Sequence, residues 1–363
     1  MKMNDTNNAI VYCEGSFNTT NGKTAHGLVR FTERFRILAV IDSIYAGKDS
    51  GLILDGTPNG IPVLADLNDG LILCANRGTR VDSLIIGLAP DGGRLPETAI
   101  PDIRSALKAR LDIYSGLHDY LSDNQELAQL AERYSCTITD IRKPPKIENL
   151  HFFSDKIKEV KCTKIAVLGT DSAVGKRTTA WKLVHSLRNR GYRVELIGTG
   201  QTAWLQGAKY SIILDSLIND FVAGEIEHVI HEAWKNENPD VLILEGQGSL
   251  LNPAYPGGFE LMAAGRPDLV ILQHAPNRKE YDGFPGYRIH PLNHQILAIE
   301  LISGKKVSAI TLNHENMRHP EIRETCAAIK KEHGIPAFDV LEFGAEDLAK
   351  LIQKFISYEH AWS

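Results

Sequence analysis

The residues best suited to chemistry lie in one short, glycine-bounded stretch, residues 169–179, which reads GTDSAVGKRTT. An apolar run, residues 165–168, precedes it, and the apolar spacing of a helix follows it. Backbone N–H groups converge in such a strand–loop–helix turn, and the helix dipole adds positive potential, so the turn can bind an anion. We therefore predict that the phosphates of a cofactor contact Gly169, Thr170, Asp171, Ser172, Gly175, Lys176, Arg177, Thr178 and Thr179.

The loop departs from the common phosphate-loop pattern G-x-x-x-x-G-K-[ST] at two positions. The first glycine of the pattern falls at Thr170, and Gly169 stands one place earlier. The hydroxyl that holds Mg²⁺ in that pattern falls at Arg177, whose guanidinium has only donors and cannot ligate a cation. The sequence therefore favours a loop that grips phosphate over one that hydrolyses a nucleotide, and we predict no metal ligands.

Further polar residues follow other predicted strands in the second half of the chain. Glu245 ends the apolar run DVLILE, Gln201 follows YRVELIGTG, and the dense polar loop QHAPNRKEYDGFPG follows DLVIL. Because the carboxyl ends of parallel strands meet at one edge of a sheet, we expect these residues to surround one crevice. The predicted catalytic proton carriers are Glu245, His274 and Asp282, and the predicted substrate-binding residues are Arg278, Lys279, Tyr281 and Gln201.

Each of these residues also has a structural interpretation. Glu245 would then be an ordinary acid at a strand end, Asp171 an internal support of its loop, and the polar loop a solvated surface segment. The functional interpretation is favoured by two points. A guanidinium such as that of Arg278 fits a carboxylate with two parallel hydrogen bonds, and a loop after a buried strand lies where open α/β sheets bind ligands.

The elements that must position these residues follow the α/β pattern of alternating strands and helices. In the first half, a continuous apolar run predicts a buried parallel strand at Phe35–Ile41, and a helix is predicted at Gln125–Tyr134. A further helix is predicted after Pro101, with Leu107 and Leu111 on its apolar face. The dinucleotide fingerprint G-x-G-x-x-G is absent from this half.

A proline pair in the stretch RKPPK interrupts this pattern and marks a domain boundary. We predict a Rossmann-like parallel sheet in residues 1–145 and a parallel sheet of the P-loop NTPase type in residues 146–363.

The composition bounds the class of protein and its partners. A length of 363 residues suits two domains, and 43% hydrophobic with 23% charged residues is the balance of an ordinary globular protein. The net charge of -5 argues against nucleic acid or an anionic membrane as a partner. No apolar run approaches the roughly 20 residues of a membrane span, and neither a signal-peptide core nor a metal spacing among the five cysteines is present. We expect a cytoplasmic protein that binds a small molecule, and a homo-oligomer.

The motifs resemble those of known families. GTDSAVGK with the downstream EGQG is similar to the loop and the acidic strand end of dethiobiotin synthetase and its P-loop relatives. Over nearly the whole chain, the stretches GTDSAVGKRTTAW, IGTGQT, EGQGSLLNPAYPGG and HAPNRKEYDGFP resemble a bacterial family long described as a domain of unknown function. Its members join a Rossmann-like N-terminal domain to a P-loop C-terminal domain, and one branch is described as D-glutamate N-acetyltransferase.

This resemblance implies an enzyme that moves an acetyl group from acetyl-CoA, as co-substrate, to the amino group of an acidic amino acid, with D-glutamate as the expected acceptor. The loop would then hold CoA phosphates, and an arginine in place of the magnesium-binding hydroxyl is consistent with that role. Two alternatives stay open. The likeness to dethiobiotin synthetase implies an ATP- and Mg²⁺-dependent ligase or small-molecule kinase, and the loop alone is also compatible with a non-catalytic nucleotide-binding regulator.

Overall fold

The computed structural model describes residues 7–359, which form two compact units. One unit contains the chain up to Pro144 together with the short segment Gln201–Gly207, and the other contains Pro145–Gly200 and the chain from Ala208 onward. Each unit is built around one parallel β-sheet with connecting helices, which confirms the predicted α/β class.

Two parallel sheets carry the strands of the described residues. In chain order these are β1 (Asn7–Tyr12), β2 (Phe35–Ile41), β3 (Val63–Leu64), β4 (Ser83–Ile86), β5 (Asp112–Ser115), β6 (Ile138–Asp140), β7 (Thr163–Gly169), β8 (Val194–Gly198), β9 (Tyr210–Ser211), β10 (Val241–Glu245), β11 (Leu269–His274), β12 (Val307–Leu312) and β13 (Ala337–Phe338). The first sheet has the order β3-β2-β1-β4-β5-β6, and the second has the order β13-β12-β11-β7-β10-β8-β9. All neighbouring strands pair in parallel.

Helices connect most of these strands. They are α1 (Lys23–Arg30), α2 (Ser50–Asp55), α3 (Leu67–Asn76), α4 (Ile100–Lys108), α5 (Gln125–Tyr134), α6 (Lys176–Asn189), α7 (Gln201–Gln206), α8 (Asn219–Glu237), α9 (Phe259–Gly265), α10 (Leu292–Ser303), α11 (His319–His333), α12 (Val340–Phe343) and α13 (Glu346–Glu359). Among the residues that the structure describes, none of the helices combines the length and the apolar character that crossing a membrane requires.

The order of the second sheet reverses at β7, and this point positions the candidate site. The chain passes from β7 to β8 and β9 on the β10 side, whereas β11, β12 and β13 lie on the other side. Every residue of β7 and of β10 is buried, as expected for central strands that are covered on both faces. Open α/β sheets bind ligands at the carboxyl ends of strands where the order reverses, so the loop after β7 occupies a favoured position.

The predicted strand β2 and the predicted helix α5 are confirmed with the predicted bounds. The assignment of Leu111 to the helix after Pro101 is wrong, because α4 ends at Lys108. Arg110 takes a left-handed φ of 62° there, which turns the chain out of the helix. Leu111 is nevertheless 2% exposed and belongs to the core of the first unit, directly before β5.

Helix α7 folds with the first unit although its sequence position lies between β8 and β9. Leu205 is fully buried in the core of that unit. The Gln206 side chain donates from Nε2 to the carbonyl oxygens of Gly27 at 2.8 Å and of Phe31 at 3.1 Å. These buried contacts explain why so short a helix holds its place there.

Candidate functional site

The phosphate loop, residues 169–175, has the backbone geometry of an anion site. It connects the buried strand β7 to the helix α6, which begins at Lys176. Ala173 has a φ of 51° and Gly175 a φ of 101°, and the second value is one that glycine adopts far more readily than other residues. Gly175 is the N-cap residue of α6 and has no side chain that could accept a hydrogen bond from the first turn. The positive end of the helix dipole therefore lies at the loop, where it would favour an anion.

Lys176 is a buried cation at the start of α6. Lys176 is 7% exposed, and its Nζ donates to the carbonyl oxygens of Asp171 at 2.7 Å and of Gly248 at 2.8 Å. Burial lowers the pKa of Lys176 to about 8, although the carboxylates of Glu245 and Asp171 oppose the shift. A bound phosphate would favour the charged form and raise this pKa again.

Asp171 ties together the loops that follow β7, β10 and β11. Its carboxylate is fully buried. Oδ1 accepts hydrogen bonds from Ser172 N at 2.7 Å and from Asn252 Nδ2 at 2.8 Å, and Oδ2 accepts from Arg278 Nη1 at 2.9 Å and from Asp282 N at 2.8 Å. These four donors occupy the acceptor sites of the carboxylate. Asp171 thus organises the loop from inside.

Arg278 braces the phosphate loop against a second carboxylate. Nε and Nη2 each donate to the carboxylate of Glu315 at 2.7 Å, and Nη1 donates to Asp171 and also to the carbonyl oxygen of Ser172 at 2.7 Å. Burial alone would lower the pKa of Arg278, but the hydrogen bonds to Glu315 and Asp171 raise it above its ordinary value. Because these bonds engage four of its five N–H donors, a grip on a substrate carboxylate stays a prediction.

Glu245 ends β10 and is the acid best suited to carry a proton. It is 6% exposed, and Oε2 accepts a hydrogen bond from Thr199 N at 3.2 Å. Burial raises the pKa of Glu245, while the positive charge of Arg177 opposes the rise. A carboxyl with a raised pKa is a stronger base near neutral pH than an ordinary exposed one.

His274 ends β11 on the other side of the phosphate loop. Its Nδ1 shares a hydrogen bond of 3.0 Å with Thr170 Oγ1. Burial lowers the pKa of His274 to about 4, and the charges of His333 and Lys279 act in the same direction. The imidazole is therefore neutral at pH 7, and it is a weak base there.

Gln273 presents an unused donor beside the phosphate loop. Its side chain is fully buried, and Oε1 accepts from the hydroxyls of Thr179 at 2.6 Å and Thr311 at 2.5 Å. Nε2 has no hydrogen-bond partner among the described residues, and it lies 3.7 Å from the position that a Cβ on Gly175 would take. The Thr179 hydroxyl thus donates its hydrogen bond to Gln273, a residue of the protein itself.

The remaining predicted residues occupy different environments. Tyr281 is 3% exposed and shares a hydrogen bond of 2.9 Å with His290 Nδ1, and burial raises the pKa of its phenol. Lys279 is exposed. Gln201 opens α7 in the first unit, where a Cβ on Gly116 would come within 2.6 Å of its Cγ. The carboxyl edge of the second sheet thus brings together the phosphate loop, Glu245, His274 and the segment that carries Arg278 and Asp282.

Three supporting residues had no role in the sequence-based prediction, namely Asn252, Gln273 and Glu315. Asn252 is 2% exposed and bridges Asp171 to its own loop, because Oδ1 accepts from Ala254 N at 2.9 Å and from Tyr255 N at 2.8 Å. An asparagine before a proline indicates a turn, but its partner 81 residues away leaves no local signal. Across residues 7–359, no group of three His, Cys, Asp or Glu side chains could hold a metal ion.

Comparison with family models and curated proteins reveals relatives along most of the chain. A P-loop domain of unknown function, DUF1611_C, matches residues 151–349, and a Rossmann-like domain of unknown function, DUF1611_N, matches residues 43–144. A D-glutamate N-acetyltransferase from a Pseudoalteromonas species is 29% identical over 297 residues, which cover 80% of this chain and 86% of the relative. A D-glutamate N-acetyltransferase from Tritonibacter scottomollicae is 31% identical over 269 residues, which cover 72% of this chain and 78% of the relative.

A solved structure has the same fold. The crystal structure of a DUF1611 family protein from Anabaena variabilis superimposes with a TM-score of 0.87 at 29% identity, and the match covers 96% of this chain and 99% of that one. The fold, the phosphate loop and the two family matches lead to one conclusion. This chain belongs to the DUF1611 family, which joins a Rossmann-like N-terminal domain to a P-loop C-terminal domain.

Proposed function

We propose that this protein transfers the acetyl group of acetyl-CoA to the amino group of an acidic amino acid, with D-glutamate as the acceptor. The observation that carries the proposal is the shared name of two relatives, which align with 80% and 72% of the chain. The chemistry of the carboxyl edge of the second sheet is compatible with this reaction.

The phosphate loop would hold the phosphates of CoA. The start of α6 offers backbone N–H groups, Lys176 a buried ammonium, and Arg177 a second positive charge. Arg177 stands where a metal-dependent loop has a hydroxyl, and the Thr179 hydroxyl donates to Gln273. The loop is therefore better supplied with donors for phosphate than with oxygen ligands for Mg²⁺.

Glu245 would act as the base. It accepts one proton from the ammonium group of the amino acid, and the amine nitrogen then attacks the carbonyl carbon of the thioester. After the attack the nitrogen still carries one proton too many, and it loses this proton to water as the C–S bond breaks. The CoA sulfur leaves as a thiolate that takes up the proton held by Glu245. Donors outside the phosphate loop would stabilise the negative charge on the carbonyl oxygen in between, because the N–H groups of that loop would be occupied by phosphate. The raised pKa of Glu245 suits this role better than the pKa of about 4 of His274.

Positively charged groups are needed for the carboxylates of the acceptor. Lys279 is exposed on the segment after β11, and Arg278 precedes it. The guanidinium of Arg278 already binds Asp171 and Glu315, so Lys279 is the better candidate for direct contact with an acceptor carboxylate.

Release of free thiol from acetyl-CoA tests the proposal. Purified protein should release thiol with D-glutamate and form N-acetyl-D-glutamate, and L-glutamate and D-aspartate serve as matched acceptors that differ in handedness or in length. Thiol release with none of the three acidic amino acids would contradict the proposal. Faster release with L-glutamate than with D-glutamate would retain the reaction and overturn the assigned acceptor.

An ATP- and Mg²⁺-dependent ligase or kinase is the second candidate, because the matching family model describes residues 151–349 as a P-loop domain. It predicts release of ADP that requires Mg²⁺, whereas acetyl transfer predicts turnover in the presence of a chelator. The two reactions can be followed in the same protein preparation with the same acceptors.

A further inference from the structure

An aromatic cluster lies on two loops that are anchored to the phosphate loop. It consists of Tyr255, Phe284 and Tyr287. The ring centroids of Tyr255 and Phe284 are 6.4 Å apart with planes at 63°, and those of Phe284 and Tyr287 are 6.5 Å apart with planes at 83°. Tyr255 is 58% exposed and Tyr287 is 59% exposed. Large aromatic rings held in fixed geometry and left in water are available for stacking.

The first anchor is the loop after β10, which carries Tyr255. The Asn252 side chain donates to Asp171 Oδ1 at 2.8 Å and accepts from Tyr255 N at 2.8 Å. One amide group thus connects the backbone of Tyr255 to the buried carboxylate of the phosphate loop. Lys176 adds a second connection, because it donates to the carbonyl oxygen of Gly248 in the same loop.

The second anchor is the hairpin 279–289, which carries the other two rings. Ile289 N donates to the carbonyl oxygen of Lys279 at 3.0 Å, and Tyr281 N donates to that of Tyr287 at 2.9 Å. Asp282 N donates to Asp171 Oδ2 at 2.8 Å. Phe284 follows only two residues later, so its backbone lies within about 7 Å of the hydrogen-bonded Asp282 backbone.

We propose that the cluster of Tyr255, Phe284 and Tyr287 stacks against the purine base of an adenine nucleotide whose phosphates occupy the phosphate loop. Both loops are hydrogen-bonded to the same carboxylate, Asp171, so the segments that carry the rings are fixed directly to the phosphate loop. An adenine nucleotide separates its flat base from its phosphates by one ribose and therefore matches a stacking surface beside an anion site. CoA and ATP share this chemistry. The inference rests on the phosphate loop of the proposed function but not on acetyl transfer.

A second copy of the chain is a less suitable occupant. Three partly exposed rings offer a few hundred Å² in total, whereas a stable protein interface buries roughly 800 Å² per partner. The anchoring of both loops to the phosphate loop also favours a ligand that carries both a base and phosphates.

Calorimetric titration of the full-length protein tests the assignment with three probes, namely ADP, adenosine 3′,5′-bisphosphate and inorganic pyrophosphate. Tyr287→Ala and Tyr255→Ala should each weaken binding of the tighter adenine probe by about 5- to 100-fold and leave pyrophosphate binding unchanged. Tyr287→Phe should bind the adenine probe about as tightly as the wild-type protein, because it keeps an aromatic ring at this position. Phe152→Ala is the matched control, because Phe152 is 66% exposed but belongs to neither loop. Which adenine probe binds more tightly distinguishes a CoA-like from an ATP-like ligand.

Several results would overturn the inference. One is adenine binding that is no tighter than pyrophosphate binding in the wild-type protein, and another is an equal loss of both in the tyrosine variants. A third is a change of oligomeric state in Tyr255→Ala or Tyr287→Ala, measured by light scattering, because the rings would then line a subunit interface. A protein that binds ADP through these rings yet releases no thiol from acetyl-CoA would support the inference and contradict the proposed function.

Discussion

The carboxyl edges of the two parallel sheets use buried acids in different ways. In the first unit, Asp42 follows β2 and is fully buried, and its oxygens accept from Phe17 N at 2.8 Å and Ile44 N at 3.0 Å. In the second unit, Asp171 accepts from four donors, and one of them is the guanidinium of Arg278. Asp42 stabilises a turn through two backbone amides, whereas Asp171 joins the phosphate loop to two further loops.

Buried lysine side chains distinguish the second unit from the first. Within the described residues, the buried lysines are Lys164 and Lys176, and both belong to the second unit. Lys164 pairs with Asp268 at 3.0 Å, whereas the hydrogen bonds of Lys176 go to backbone carbonyl oxygens. A buried ammonium without a direct carboxylate partner is costly, and for this reason we propose that Lys176 binds an anion. A parallel sheet alone therefore does not make a site, and the difference lies in a few residues.

Glu245→Gln gives the largest expected effect and sharpens the distinction between structural and reactive acids. Loss of a catalytic base should lower the rate of thiol release by about 10²- to 10⁴-fold, with CoA affinity nearly unchanged. Steady-state kinetics together with calorimetry measure both quantities. Turnover close to the wild-type rate would remove Glu245 from the chemistry.

Asp171→Asn should destabilise the second unit by about 3–5 kcal/mol, because it removes the fully buried carboxylate that pairs with the half-buried guanidinium of Arg278. Asp42→Asn is the counterpart in the first unit and should cost less, about 1–3 kcal/mol, because only hydrogen bonds to backbone amides are affected. Urea unfolding followed by circular dichroism gives the two free energies of unfolding. Equal losses for the two variants would contradict the contrast between the two edges.

Lys176→Met should weaken CoA binding by at least about 100-fold, because a charged contact to phosphate is lost, while the fold is retained. Lys182→Met is the matched control on the same helix, since Lys182 is half-buried on α6 rather than placed at its N-terminus. Calorimetric titration with CoA compares the three proteins. A similar loss of affinity in both variants would argue against a specific role for Lys176.

Lowering the pH should test the role of the half-buried His274, and this is the smallest of the four expected effects. Its pKa of about 4 lies below the ordinary value of 6.5, so the unfolded chain binds more protons between these pH values. The contribution to stability is therefore complete above pH 6.5 and is lost as the pH falls toward 4, and it amounts to about 3 kcal/mol at most. His274→Gln should flatten the stability profile in this window, and an unchanged slope would refute the shift.

The sequence was informative wherever the signal is local. The apolar run of β2, the helix α5 and the turn from β7 into α6 depend on residues that are adjacent or one helical turn apart, and the structure has them as predicted. The network around Asp171 was not predictable in the same way. Its contacts to Asn252 and Arg278 join residues 81 and 107 positions apart, and no periodic pattern encodes such pairs. The packing of Leu205 in the core of the first unit could not be predicted for the same reason, because its partners are distant in sequence.

The most direct test is thiol release from acetyl-CoA and D-glutamate in the presence of excess EDTA, measured in parallel for the wild-type protein and Lys176→Met. We predict N-acetyl-D-glutamate and stoichiometric thiol from the wild-type protein without metal, and at least about 100-fold less product from the variant at limiting acetyl-CoA. Absence of thiol, with ADP formed from ATP only when Mg²⁺ is supplied, would contradict the proposed acetyl transfer.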